Sequence, residues 1–163
     1  MKTIYFIRHA KSSWEDISLA DHDRPLNQRG KRDAPLMADV LSSRETDCDG
    51  IITSTAKRAR ATAKRFAKVY ELRKKKVIKT KDLYHAYPEQ ITQVIHTIPA
   101  DWNIVLVFGH NPGFTDMANK LIGDYIDNVP TCGIFGAQLD VKDWKEWQPE
   151  KAVRHLYHYP KQF

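Results

Sequence analysis

Short runs of β-branched and aliphatic residues alternate along this chain with stretches whose apolar residues recur at helical spacing, and that alternation admits few folds. The runs Thr3–Ile7, Gly50–Thr53, Val77–Thr80, Asn103–Phe108, Ile134–Leu139 and Ala152–Tyr157 read as strands. Helices are expected between them. In Lys57–Tyr70, residues Ala59, Ala63, Phe66 and Tyr70 form one apolar stripe while lysines and arginines take the other face. Phe114–Ile122 repeats the pattern, with Asn111 as a suitable N-cap and Pro112 at the first helical position. Asn27–Ser43 and Glu89–Thr97 are the other two, the former kinked where Pro35 removes a backbone donor. Strand-helix alternation of this kind buries a largely parallel sheet, so the fold class is α/β.

At 163 residues the chain matches one domain, read as residues 1–163, and is long enough to form a core without covalent staples. Its two cysteines, Cys48 and Cys132, therefore need no disulfide. The longest apolar stretches fall far short of the roughly 18 residues that a membrane span requires. The first residues meet Arg8 and His9 too early for a signal peptide, so a cytoplasmic protein is expected. The net charge of +6 is local: Lys57–Lys76 alone carries +9, which leaves −3 for the remainder. Such a stripe is either a solvated helix face or a surface for nucleic acid or an acidic protein.

Chemistry concentrates at strand ends. In a parallel sheet ligands bind beyond the carboxyl ends of the strands, and there the first strand runs into Arg8-His9 and the fourth into Gly109-His110-Asn111-Pro112-Gly113. The second strand ends at Ser54 and enters a helix whose first turn holds Arg58, among backbone N–H groups that favour anions. One such histidine is usually incidental. Two histidines and two arginines at equivalent strand ends are costly to gather without an anion, and together they suit a compact dianion such as phosphate.

These residues resemble the histidine phosphatase superfamily, also called phosphoglycerate mutase-like, and within it the short SixA-type phosphohistidine phosphatases. The resemblance rests on Ile7-Arg8-His9-Ala10, on Arg24-Pro25-Leu26-Asn27 followed by Gly30, on Ser54-Thr55-Ala56-Lys57-Arg58-Ala59 with Thr62, and on Gly109-His110-Asn111-Pro112. It implies a three-layer α/β/α sandwich around a mostly parallel six-stranded sheet. It further implies His9 as the phosphate-accepting nucleophile, a pocket made of Arg8, Arg58 and His110, and Arg24 added to that pocket in the SixA-type subgroup. Asn111 joins them as a substrate-binding candidate. The chain departs from the pattern at Ala10, where many members carry Gly, and after the third strand. There Asp82-Leu83-Tyr84-His85-Ala86 lacks the expected acidic residue, leaving Asp16, Asp21, Asp82, His85 and Glu89 as groups that could reach a leaving group.

Neutral imidazole attacks phosphorus when one ring nitrogen is held as a donor, and neighbouring arginines keep it neutral. A backbone carbonyl near the strand end is the expected partner of His9 Nδ1–H. Without a well-placed acid, phosphohistidine is a better substrate than phosphoserine, because imidazole leaves with little assistance. No long insertion remains to form a lid, so an open pocket is expected, rimmed by the loop Lys11–Asp23 with Trp14 and Ile17 toward a partner. No metal or other cofactor is expected: the seven histidines show no His-Glu-x-x-His spacing, and His155 and His158 would point to opposite faces of a strand. Nucleotide-binding glycine loops are absent. The reading is a metal-independent phosphatase acting on a phosphorylated signalling protein, whose histidine-phosphotransfer domain is implied by the resemblance alone. The alternatives are a phosphatase of small phosphoesters and a phosphohistidine- or nucleic-acid-binding module without catalysis.

Overall fold

A computed structural model describes residues 1–163. Six strands, β1 (Lys2–Arg8), β2 (Gly50–Ser54), β3 (Val77–Thr80), β4 (Ile104–Gly109), β5 (Ile134–Leu139) and β6 (Val153–His158), form one sheet in the order β3-β2-β4-β1-β5-β6. The four strands from β3 to β1 are parallel, β5 runs antiparallel to β1, and β6 antiparallel to β5. All six expected strands are present within a residue or so of the expected ends.

Four α-helices cover the sheet: α1 (Gln28–Ser42), α2 (Lys57–Val69), α3 (Pro88–Ile95) and α4 (Gly113–Lys120). Alternation along β1 separates two cores. Tyr5 and Ile7 point to one face and join Met37 and Leu41 of α1 and Phe66 of α2. Ile4 and Phe6 point to the other and join Ile91 of α3, Phe114 of α4, Trp144 and Trp147. Burial of each such side chain stabilises the fold by about 1.5–3 kcal/mol. The result is the expected three-layer sandwich. None of its helices is long and apolar enough to cross a membrane.

The expected helix with Pro35 inside it is α1; the missing Pro35 N–H would have bonded the carbonyl of the exposed Lys31, where solvent has access. The expected start of the fourth helix is corrected. Helix α4 begins one residue later than the Asn111 cap implied, with Pro112 rather than Asn111 as N-cap and a cis Asn111-Pro112 peptide. The Asn111 side chain still accepts from the first turn, at 3.2 Å from Thr115 N–H.

The order of the strands creates the site. β1 and β4 are neighbours, yet β1 is followed by α1 on one face and β4 by α4 on the opposite face. The chain thus diverges above their carboxyl ends and opens a crevice there. Gly30 closes the back of it: a Cβ at this position would stand 2.2 Å from the Lys11 carbonyl oxygen, so α1 approaches the strand-end loop only with glycine. Replacement of Gly30 by Ala should therefore lower unfolding stability by about 1–3 kcal/mol, read as a reduced denaturant midpoint with an unchanged slope.

Candidate active site

His9 follows β1 directly, and its backbone is pinned on both sides. Its N–H donates to the Gly109 carbonyl at 3.0 Å, and its own carbonyl accepts from Cys132 N–H at 3.1 Å. The Nδ1 atom lies 2.7 Å from the Ala10 carbonyl. A carbonyl can only accept, so Nδ1 carries the hydrogen and the Nε2 lone pair is exposed to the pocket. Arg58, in the first turn of α2, donates Nε–H toward that lone pair at 3.3 Å. Thr62 ties the two elements together: its hydroxyl accepts from Ala10 N–H at 2.9 Å and donates to the Arg58 carbonyl at 2.8 Å.

His110 stands at the end of β4 with its ring centroid 5.1 Å from that of His9. Its Nε2 meets the Ser54 hydroxyl at 2.8 Å, whereas its Nδ1 is buried with no partner. Arg8 donates to the Val129 carbonyl at 2.9 Å, and its Nε is likewise buried and unpaired. Arg24 sits over Trp14, its guanidinium carbon 3.5 Å from the ring centroid. The strand ends thus bring together His9, Arg8, Arg58, His110 and Arg24. Asn111 is placed differently. Its amide NH2 donates to Asn128 Oδ1 and the Val129 carbonyl, both at 3.0 Å, and its oxygen accepts from Thr115, which leaves no side-chain donor for a phosphoryl oxygen. Where a substrate-binding side chain was expected, the structure shows one that holds the loop beneath the site.

The expected open pocket is also corrected. His9, Arg24, Arg58 and His110 are only 7%, 6%, 4% and 5% exposed. The cover is the Lys11–Asp23 loop itself, whose last turn, Asp21–Asp23, lays the Asp21 carboxylate on the arginines. One Asp21 oxygen is 3.2 Å from Arg24 Nε, and the other is 3.0 Å from Arg58 and 2.5 Å from the Tyr84 hydroxyl. No long insertion is needed, because a single carboxylate facing two guanidiniums draws the loop inward. Trp14 and Ile17 of the same loop remain exposed, at 66% and 93%.

Tyr84 is the site residue that sequence reading passed over, whereas Asp21, one of the groups expected within reach of a leaving group, pairs with the pocket arginines. Tyr84 lies in the segment after the third strand, its ring edge-on to His110 at 5.4 Å. His85, at φ 55, brings its Nε2 to 3.8 Å from Asp21.

Charge states follow from these surroundings. Burial, with the nearby charges of Arg58, Arg8 and Arg24, pushes the pKa of His9 down to about 3 despite the Ala10 hydrogen bond. Burial first, then His9 and Arg58, pushes that of His110 down to about 2. Both imidazoles are therefore neutral near pH 7. Burial would raise the Asp21 carboxyl, but the Tyr84 hydroxyl and the Arg58 and Arg24 guanidiniums prevail and hold it well below the usual range.

The family model of the histidine phosphatase superfamily (branch 1) matches residues 4–110, and the chain belongs to that superfamily, with the activity class of a phosphatase. An uncharacterized chloroplastic protein of Arabidopsis thaliana is 33% identical over 89% of this chain and 70% of its own. An uncharacterized protein of Mycobacterium tuberculosis is 32% identical over 95% of this chain and all of its own. Among solved structures, a protein of Agrobacterium tumefaciens described as a phosphohistidine phosphatase SixA superposes with a TM-score of 0.82 at 24% identity, over 98% of both chains. The protein histidine phosphatase SixA complexed with tungstate gives 0.81 at 18% identity, also over 98% of both. At these identities the two structures establish the fold.

Two outcomes follow. Since His9 and His110 titrate lower in the fold than in the unfolded chain, the unfolded state binds more protons between about pH 6.5 and 3. Their contribution to stability is complete above pH 6.5 and is lost on acidification through that window. Thermal unfolding followed from pH 7.5 to 4 should show Tm falling, with a shallower fall in a His110→Gln variant. Separately, Asp21→Asn should tighten binding of inorganic phosphate about tenfold, on the order of 1.4 kcal/mol, by removing the carboxylate that faces the same arginines. Titration calorimetry reads this directly, and weaker binding would show that Asp21 assembles the pocket rather than competing for it.

Proposed function

We propose that this chain is a metal-independent phosphohistidine phosphatase that works through a phosphoryl group carried on His9. The observation that carries the reading is the His9 tautomer: Nδ1–H held by the Ala10 carbonyl, and Nε2 bare and directed at the Arg58 guanidinium. In this reading the phosphoryl group enters where Asp21 now lies, Arg8, Arg24 and Arg58 bind its oxygens, and the unpaired His110 Nδ1 and Arg8 Nε gain partners. The match in fold to SixA structures, one of them holding the phosphate-shaped tungstate ion, supports it.

His9 Nε2 attacks phosphorus, the bond to the substrate's nitrogen breaks, and the leaving imidazole takes a proton. Water then attacks the phosphorylated His9, its P–N bond breaks, and inorganic phosphate is released. Catalysis of this kind is chiefly positioning and neutralisation of equatorial oxygens, for which forked guanidiniums are suited. Substrate preference follows from Asp21. Held ionised in the free site by Tyr84, Arg58 and Arg24, it is displaced from the arginines as a carboxylate and brings no proton for a poor leaving group such as a serine alkoxide. Imidazole needs less help. A phosphorylated signalling protein, such as a histidine-phosphotransfer domain, is the partner that the family resemblance implies.

The decisive assay is phosphate release from a phosphohistidine peptide and a phosphoserine peptide with a chelator present. Turnover of the first should exceed that of the second by at least a hundredfold, persist with chelator, and vanish in a folded His9→Ala variant. Comparable rates on both peptides would favour a broad phosphoester phosphatase. Binding of the phosphohistidine peptide without turnover would favour a recognition module.

A further inference from the structure

A concavity of about 1240 Å³ forms a groove between α1, the loop 124–131 and the end of β6 with its tail. It meets the site at one residue, Arg8, which lines the groove and also bears on His9. We propose that this groove docks an acidic polypeptide segment flanking the phosphorylated residue of the substrate. The proposal rests on the phosphohistidine reading of the site and extends it to the substrate's chain.

Charge is the first argument. Arg8, Lys11, Arg29, Arg32, Arg154 and Lys161 line the groove against three carboxylates, Asp33, Asp124 and Asp127. Only Arg32 has a carboxylate within ion-pair distance, Asp33 at 3.0 Å. Arg154 is taken up by the Ala118 and Asp124 carbonyls. Apart from Arg8, which serves the site, Lys11, Arg29 and Lys161 form no ion pair with any acid of the chain. Free cations lining a concave surface attract and orient an acidic partner.

Size and surroundings are the second. Small-molecule pockets typically span about 300–1,000 Å³, and this groove exceeds that and lies open along the surface. Tyr125 and Phe163, both exposed, add aromatic contact area of the kind enriched at protein interfaces. Nucleic acid fits less well, because Asp124 and Asp127 would face a continuous line of phosphates. The Lys57–Lys76 stripe, the densest positive charge in the chain, contributes no residue to the groove.

The test compares two phosphohistidine peptides, one flanked by glutamate and aspartate and one by serine and glycine, with free phosphohistidine as the small substrate. The native protein and an Arg29→Ser, Lys161→Ser variant are assayed; both residues are exposed. The native protein should show kcat/KM about tenfold higher on the acidic peptide, mainly through KM. That advantage should disappear in 0.5 M salt, where charges are screened within a few ångströms. The variant should lose the advantage and keep its rate on free phosphohistidine. Equal native rates on the two peptides, or an advantage that survives in the variant, would overturn the proposal. If the native protein hydrolyses neither peptide nor free phosphohistidine, the reading of the site fails instead. The groove is then judged by fluorescence anisotropy of the tagged, unphosphorylated acidic peptide. Salt-sensitive binding weakened in the variant supports it, and no binding, or stronger displacement by an oligonucleotide than by unlabelled peptide, overturns it.

Discussion

Three guanidiniums, those of Arg8, Arg24 and Arg58, converge on one small volume and repel one another, and the surrounding structure is arranged around that repulsion. Arg58 is the hub. Its Nε–H faces His9, its NH1 donates to the Asp21 backbone carbonyl at 2.6 Å, and its NH2 pairs with the Asp21 carboxylate. The same carboxylate reaches Arg24 and Tyr84, so one acidic side chain neutralises the pocket and brings its loop over it. The shelter is electrostatic rather than apolar. An incoming phosphoryl dianion can displace the carboxylate because it offers the arginines more charge and more acceptor oxygens.

That arrangement was only partly legible in the sequence. The strands and the residues at their ends could be read because alternating periodicity fixes which segments are strands, and the chemistry of a parallel sheet lies beyond their carboxyl ends. Arg58 stood out poorly in composition, lying in a stripe of ten basic residues, yet it is the stripe's one buried cation. Its position one turn past a strand distinguished it. Asp21 was harder. Nothing in Asp21-His22-Asp23-Arg24 says which of two aspartates turns inward, since that depends on where Tyr84 and α2 arrive from distant parts of the chain. Asn111 misled for the opposite reason. It lies between two motif residues, but its amide is saturated by a loop seventeen and eighteen positions later.

The core shows the same division. Lys2 is buried, a position that hydropathy alone would not assign to a lysine. Its ammonium donates to the Ala100 and Trp102 carbonyls and to Asn103 Oδ1 at 2.6–2.9 Å, and it sits 5.5 Å from the Trp144 ring. A buried charge survives only with such partners. They come from about a hundred residues away, beyond the reach of any local pattern.

The two histidines illustrate how a backbone atom decides chemistry. Both are neutral and buried, and both lie at strand ends within the same field. His110 faces the Ser54 hydroxyl, which can donate or accept, so its hydrogen can reside on either ring nitrogen. His9 faces a carbonyl, which leaves it one neutral tautomer with the Nε2 lone pair directed into the pocket. A nucleophile must present its lone pair in every turnover, whereas a ligand of phosphoryl oxygen must present a proton. The carbonyl beside His9 suits it to the first task. In the proposed mechanism the adaptable hydroxyl beside His110 lets that ring offer Nδ1–H to a phosphoryl oxygen, so a difference of one hydrogen-bond partner fits the same side chain to opposite roles.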